Sequence, residues 1–413
     1  MKMISKDKYS SNLMCTVGTS LFHPNLEHLD PQGYLTQLGS GSPPVRADLE
    51  AFTRHGVMAD PDRLITILER IRAAYQDKQY SRIAGLFLNL PPELRLLGAE
   101  INSIEAMVRK HFLSDNRARL ILLVSDTKDG QAIGEILSGY FEHPDCPIGF
   151  SRCLIEPVIG LQDQNPLVFQ REGLANLARL LGDFYRQLGG AVAINATGGY
   201  KAQIALAVAF GQAAKIPVYY KHERFDQIIR FPQIPFSLDL GLVQNHLKLW
   251  ADLAEPQSSF AETDLQTRLT GNATVMDEIL PLLEFVEDNG EKLFCLSALG
   301  MVYWEAFRSM HPKLTLQPGP VLQRRGCHFR DDHYPDGFRE HVKRVYDAFP
   351  AYISQCHALA YDKQRSIQPG IYQKQKQIIG EYVDSNRFGA RFEIMTSAQN
   401  SLERQWLIDR FNT

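Results

Sequence analysis

The run Ala191-Val192-Ala193-Ile194-Asn195-Ala196-Thr197-Gly198-Gly199-Tyr200-Lys201-Ala202 decides how this chain is read. An apolar strand over 191–195 feeds two glycines and then a long apolar helix. Glycines carry no Cβ, so successive main-chain N–H groups can converge on one cavity. The start of the helix adds partial positive charge and Lys201 a full one, while Thr197 offers a hydroxyl. Residue types in that order suit an anionic, phosphate-bearing ligand. The competing reading is a tight strand-to-helix turn packed under a loop. It leaves Lys201, which opens an otherwise apolar helix, without a task.

Two other strand ends resemble this one. Cys15-Thr16-Val17-Gly18-Thr19-Ser20-Leu21 and Ser125-Asp126-Thr127-Lys128 both pass from an apolar run into small or polar residues. In open parallel sheets ligands sit beyond the carboxyl ends of the strands, where the strand order reverses. The expected ligand-binding set is therefore Gly18, Thr19, Ser20, Ser125, Asp126, Thr127, Thr197, Gly198, Gly199, Tyr200 and Lys201. Candidate strands at 13–17, 81–88, 120–124 and 191–195, with a later pair at 218–221 and 227–230, alternate with amphipathic stretches at 62–75, 99–111, 132–141 and 174–188. That alternation predicts an α/β, Rossmann-like domain with a mainly parallel sheet.

Bulk properties narrow the function classes. A chain of 413 residues, 44% hydrophobic and 22% charged, predicts two or three ordinary globular domains. No apolar run is long enough to cross a membrane, and the N-terminus lacks the apolar core of a secretion signal. Six scattered cysteines without a Cys-x-x-Cys pair predict reduced thiols and a cytoplasmic location. The net charge of −3 is uneven: −8 over 236–310, +4 over 311–413 and +1 over the remainder. The last segment suits a polyanion, whereas the middle one opposes a DNA backbone.

Phe231-Pro232-Gln233-Ile234-Pro235 reads as a linker, which predicts a ligand-sensing domain over 1–235. Helices near 240–253 and 275–283, a hairpin over 284–296 turning at Asn289-Gly290, and a helix capped by Ser297 predict a winged-helix connector over 236–315. A helix at 336–346, antiparallel strands at 352–361, 370–382 and 390–396, and a helix opened by Asn400-Ser401-Leu402-Glu403 predict a small α+β domain over 316–413.

Gly18-Thr19-Ser20-Leu21, Leu97-Gly98-Ala99-Glu100-Ile101-Asn102-Ser103 and Asn195-Ala196-Thr197-Gly198-Gly199-Tyr200-Lys201-Ala202 together resemble the CRISPR-associated Rossmann fold (CARF) sensors, over roughly residues 10–235. The Asn-x-Thr-Gly-Gly-[Phe/Tyr]-Lys run is the most specific mark. The resemblance implies a homodimer that binds a cyclic oligoadenylate, four adenylates being the preferred ring, across its twofold axis and switches an attached effector in type III CRISPR defence. A symmetric ring suits an isologous dimer, which can grip both halves equally. No other cofactor is expected.

The effector carries less sequence signal. The Arg-to-His spacings at Arg308/His311, Arg330/His333 and Arg324/His328 are too short for a HEPN ribonuclease, and Glu393-Ile394-Met395 lacks the lysine of a PD-(D/E)xK nuclease. Lys363, Arg365, Lys374, Lys376, Arg387 and Arg391 lie on or beside the expected C-terminal strands, with Lys374 and Lys376 sharing one face. A helix followed by an antiparallel sheet with a cationic face resembles RelE-type messenger-RNA interferases. That resemblance implies metal-independent cleavage of messenger RNA in the ribosome, with cations stabilising phosphate charge. The final helix departs from that family and leaves the catalytic roles open. Alternatives are a solvated basic face, a zinc site from Cys327, His328, His333 and His341, or His328, Arg330 and His333 assisting acid–base chemistry. At the level of function the rivals are a metal-dependent nuclease and a ligand-controlled transcription regulator.

Overall fold

A computed structural model of the chain describes residues 10–40, 46–55, 61–222, 227–234, 238–269, 273–288, 291–330, 333–360 and 367–412. In chain order the first elements are β1 (Asn12–Thr16), α1 (Pro31–Ser40), α2 (Arg46–Arg54), α3 (Pro61–Gln76), α4 (Tyr80–Phe87), α5 (Gly98–Arg109), β2 (Arg119–Ser125), α6 (Lys128–Phe141), β3 (Arg152–Val158), α7 (Pro166–Val168), α8 (Leu174–Leu188), β4 (Val192–Asn195), α9 (Lys201–Ala213), β5 (Val218–Tyr220) and β6 (Ile229–Arg230). Next come α10 (Gly241–Asn245), α11 (Leu247–Leu253), β7 (Phe260–Ala261), α12 (Glu262–Arg268), α13 (Ala273–Ile279), β8 (Leu283–Asp288), β9 (Glu291–Leu296) and α14 (Ala298–Met310). The chain ends with β10 (Gly326–His328), α15 (Phe338–Ala348), β11 (Ile353–Ala358), β12 (Gly370–Lys374), β13 (Gln377–Val383), β14 (Gly389–Thr396) and α16 (Ser401–Phe411).

Contacts gather these elements into two compact units. The first runs to Leu240 and also takes in Pro281–Glu284 and Leu296–Met310; the second holds Gly241–Leu280, Phe285–Cys295 and His311–Thr413. Within the expected connector segment, α14 thus belongs to the first unit and α10–α13 to the second. The β8–β9 turn at Asn289-Gly290 lies outside the described residues.

The first unit is α/β. Its sheet has the order β3-β2-β1-β4-β5-β6 and is parallel except for β6 at the edge. Every residue of β1 and β4 is buried, as the continuous apolar runs require of strands covered on both faces. Leu13, Cys15, Leu120, Leu122 and Val124 pack under Ile71, Phe87, Ile101, Ile104, Ile133 and Phe141 of α3–α6.

Residues 81–88, expected as a strand, form helix α4 instead. Ile83, Ala84 and Phe87 are its buried residues, and that spacing is helical. A short apolar run does not separate helix from strand by itself. β3 was absent from the expectation, because Glu156 and Pro157 interrupt its apolar pattern.

Helix α14 docks on α8 through an ion pair. Arg186 of α8 donates from Nη1 to Oε2 of Glu305 at 2.5 Å and from Nη2 to Asp183 at the same distance. Glu305 is 1% exposed; burial pushes its carboxyl up, and Arg186 and Arg308 pull it back. Gly182 makes the approach possible, since a Cβ there would overlap the Glu305 side chain.

In the second unit a five-stranded sheet, order β10-β11-β14-β13-β12, is antiparallel except for the β10–β11 pair. Phe338 and Val342 of α15 and Leu407 and Ile408 of α16 pack with Cys356, Ile378, Phe392 and Ile394. The stretch 370–382 is a hairpin rather than one strand. Gln375 takes a positive φ of 54° and Lys374 faces Gln377 across the turn. Lys374 and Lys376 therefore do not share a strand face: Lys374 ends β12 and Lys376 lies in the turn. Asn400 caps α16 by accepting the Glu403 N–H at 3.0 Å, while the Glu403 carboxylate reaches the N–H of Gln399. Arg404 and Asn400 tie α16 to Glu255 and Asp252.

Truncating one partner of a buried ion pair strands the other charge, at a cost of about 3 kcal/mol. Arg186→Ala should therefore lower the stability of the first unit by roughly that amount in urea unfolding, and adding Glu305→Gln should recover most of it. Unchanged stability in the single variant would mean that Glu305 is solvated without its arginine.

Candidate ligand-binding site

The strand order reverses between β1 and β4. From β1 the chain steps outward through β2 to β3, then returns to the other side of β1 as β4 and continues to β5. The loops leaving β1 and β4 therefore diverge from neighbouring strand ends and flank a crevice, the place where open α/β sheets hold ligands.

Three glycines meet here, and each is needed. A Cβ on Gly18 would lie 2.5 Å from the Gly199 nitrogen. On Gly198 it would overlap the Glu100 carboxylate, and on Gly199 the Gln203 amide. Gly199 also has a φ of 102°, a backbone region that side chains disfavour. The glycine pair thus admits the side chains of Glu100 and Gln203 as well as shaping the bend. Thr16 fastens the two loops by donating from Oγ1 to the Gly198 carbonyl at 2.6 Å.

Thr197 is occupied within the protein. Its hydroxyl donates to Asn195 Oδ1 at 2.6 Å and accepts the Lys221 N–H at 3.1 Å. Asn195, fully buried, donates from Nδ2 to Ser103 Oγ of α5 at 2.7 Å. By contrast, the main-chain N–H groups of Thr197, Gly198 and Gly199 donate to nothing among the described residues. Tyr200 precedes α9; its N–H donates to Gln203 Oε1 at 3.2 Å and its ring meets Phe169 edge-on at 5.2 Å. Lys201 is exposed and makes no hydrogen bond or ion pair among the described residues.

Glu100 lies beneath the bend, fully buried, and its Oε1 accepts the Gly18 N–H at 2.8 Å. Burial pushes this carboxyl up to about 7, against the opposing pull of the Gly18 amide. Among the described residues, three buried polar atoms on or beside these loops have no hydrogen-bond partner: Ser20 Oγ, which follows β1, Glu100 Oε2 and Gln203 Nε2. Buried polar atoms left idle cost free energy, so they mark a place where a ligand or water completes the structure. Neither Glu100 nor Gln203 stood in the expected set. The sequence signal for Glu100 was its place in the 97–103 run, at the start of α5.

The remaining expected residues occupy two further places. Thr19 is exposed and its carbonyl accepts the N–H groups of Phe22 and His23. Ser125 ends β2 and Thr127 caps α6: Thr127 accepts the Gly130 N–H at 3.0 Å and contacts Ser125 Oγ at 2.9 Å. The Asp126 N–H donates to the Leu161 carbonyl. The Asp126 carboxylate accepts the Gly160 N–H at 3.4 Å.

Among the expected C-terminal cations, Lys363 and Arg365 lie outside the described residues. Lys374 is exposed at the end of β12, and Arg387 is exposed in the β13–β14 turn with a φ of 63°. Lys376 donates to the Pro256 carbonyl at 2.8 Å. Strand alternation and register put Lys374 and Arg391 on the sheet face opposite α15 and α16, with Arg391 across from Glu381. The alternative zinc set is divided. Cys327 pairs with Cys356, a core residue, so the neighbouring His328 falls on the other face, while His341 packs between Tyr382 and Phe392.

The Glu100 carboxyl gives a pH test. Its value of about 7 lies above the ordinary 4.5, so the folded chain holds the proton more tightly than the unfolded one. Stability should fall as pH rises from about 4.5 to 7 and stay low above that, by an amount on the order of 3 kcal/mol. Glu100→Gln, which imitates the protonated acid, should flatten this window in urea unfolding. Parallel pH profiles for the two proteins would contradict the assignment.

Residues 95–234 match the model of a family described as CRISPR-associated protein (Cas_APE2256). The matched stretch covers about a third of the chain and includes Glu100, Asn195, the Thr197-Gly198-Gly199 bend and Lys201. No curated protein matches the chain. No helix among the described residues is long and apolar enough to cross a membrane. The family match supports a CRISPR-associated protein with a CRISPR-related role.

Proposed function

We propose that the first unit is a CARF-type receptor for a cyclic oligoadenylate, working as a homodimer, and that the second unit is a ribonuclease which this ligand switches on. The observation that carries the receptor reading is the crevice between β1 and β4. Three adjacent main-chain N–H groups donate to nothing among the described residues there, just before the exposed Lys201. Idle amides at the start of a helix bind phosphate or other electron-rich groups without rearrangement. Ser20 Oγ, Glu100 Oε2 and Gln203 Nε2 add buried, unpartnered atoms able to recognise base or ribose. The CRISPR-associated family match over 95–234 agrees with a nucleotide messenger made during CRISPR defence.

The ribonuclease reading draws on the C-terminal sheet and on the resemblance to RelE-type interferases. Lys374 and Arg391, on the sheet face opposite α15 and α16, supply positive charge for a phosphodiester that gains charge as the RNA 2′-hydroxyl attacks. Messenger RNA in the ribosome is the proposed substrate. For the ligand to activate, it must bind the active arrangement more tightly than the resting one, since equal affinity shifts nothing.

Calorimetric titration with cyclic tetra-adenylate and cyclic hexa-adenylate should give saturable binding of one ring, with a stoichiometry of one ring per two chains. Lys201→Ala removes a charge-assisted contact and should weaken binding by roughly ten-fold or more. Unchanged affinity would place the ligand elsewhere. Incubation with translating ribosomes, the binding ring and EDTA should yield cut messenger RNA; intact messenger would reject the ribonuclease reading.

A further inference from the structure

On the face of the C-terminal sheet opposite α15 and α16 stand two histidines that the reading above leaves without a task. The parallel β10–β11 register sets His328 beside His357, and the two imidazoles stack with centroids 5.1 Å apart and planes 16° apart. On the far side of β11, His357 stands across from Glu393 of β14, whose Oε1 accepts the Gln377 Nε2–H at 2.9 Å. Two residues along the same strand, and so on the same face, is Arg391. Glu381, opposite Arg391, is occupied by the Tyr372 hydroxyl at 2.7 Å and the Gln368 N–H at 2.9 Å. α15 and α16 pack on the other face. On this one His328 is exposed and His357, Arg391 and Glu393 are half-buried, while Ile379 and Glu381 are buried.

Histidine is the side chain whose ordinary pKa lets it both take and give a proton near neutral pH. Two imidazoles side by side, an arginine on the same face and a carboxylate on the strand across from one of them are parts that metal-independent transesterification of RNA can use. A plain packing role explains the pair poorly, because stacking two histidines on an exposed sheet edge buries little apolar surface.

Resting on the ribonuclease reading, we propose that His328 and His357 form the acid–base pair of the RNA-cleaving centre, with Arg391 facing the phosphate and Glu393 positioning His357. One imidazole, neutral, takes the proton of the 2′-hydroxyl as the 2′ oxygen bonds to phosphorus. The bond from phosphorus to the 5′ oxygen breaks, and the other imidazole, protonated, gives its proton to that leaving oxygen. The products are a 2′,3′-cyclic phosphate and a 5′-hydroxyl. The step consumes no water, metal or oxidant.

The test uses the full chain with translating ribosomes, EDTA and both cyclic tetra- and hexa-adenylate, comparing wild type with His328→Ala and His357→Ala. The expected result is wild-type cleavage that leaves 5′-hydroxyl and cyclic-phosphate ends. Each variant should be slower by about 10²- to 10⁴-fold and lose one limb of the pH–rate profile, with melting and ring affinity unchanged. Variants that cut at the wild-type rate, or that slow down while keeping both limbs, would overturn the pair and leave the ribonuclease reading standing. A wild type that cuts no RNA would overturn both.

Discussion

The first unit depends on one close approach: the backbone of Gly18 against Gly198 and Gly199, with the Glu100 carboxyl buried beneath. It joins the ends of β1 and β4, the two strands between which the sheet reverses. A side chain at Gly18 or Gly198 would meet the backbone of the opposite loop, and one at Gly199 would displace the Gln203 side chain. Glu100 holds the Gly18 amide, Thr16 holds the Gly198 carbonyl, and Asn195 links the bend to α5 through Ser103. A movement of either loop therefore disturbs a connected polar network as well as its own strand. That is the physical requirement for a ligand here to be felt elsewhere.

The same network explains how the bend combines rigidity with a capacity to bind. Thr197, which its hydroxyl would suggest as a ligand contact, instead fixes the backbone through Asn195 and Lys221. What the bend leaves over is main-chain N–H groups, an exposed lysine, and the unpartnered atoms of Ser20, Glu100 and Gln203. A site assembled from preset amides needs little ordering when ligand arrives, which favours affinity.

Sequence alone made the core of this design legible, for physical reasons. The run 191–202 reads as strand, bend and helix because a buried strand must be continuously apolar and a tight bend between them favours glycine. Strands β1, β2, β4 and β5 were visible on the same grounds, as were the helices that cross between them. Legibility failed where periodicity is ambiguous or partners are remote. α4 is a short apolar run with no alternation, and β3 is broken by Glu156 and Pro157. The hairpin at 370–382 turns on Gln375 and Lys376, residues that do not announce a turn. Glu100 reaches Gly18 from 82 positions away, and His328 meets His357 only through sheet register. No local pattern encodes either meeting.

The central claim is that ligand engages the β1 and β4 loops together, and hydrogen exchange by mass spectrometry addresses it most directly. In the free protein the peptide spanning 196–203 should exchange rapidly at 197–199, whose amides bond to nothing described, and the peptide spanning 17–22 more slowly, since Val17, Gly18 and Phe22 donate within the protein. Adding the cyclic adenylate ring should slow both peptides in step. Slowing confined to other segments, with these two unchanged, would contradict the account.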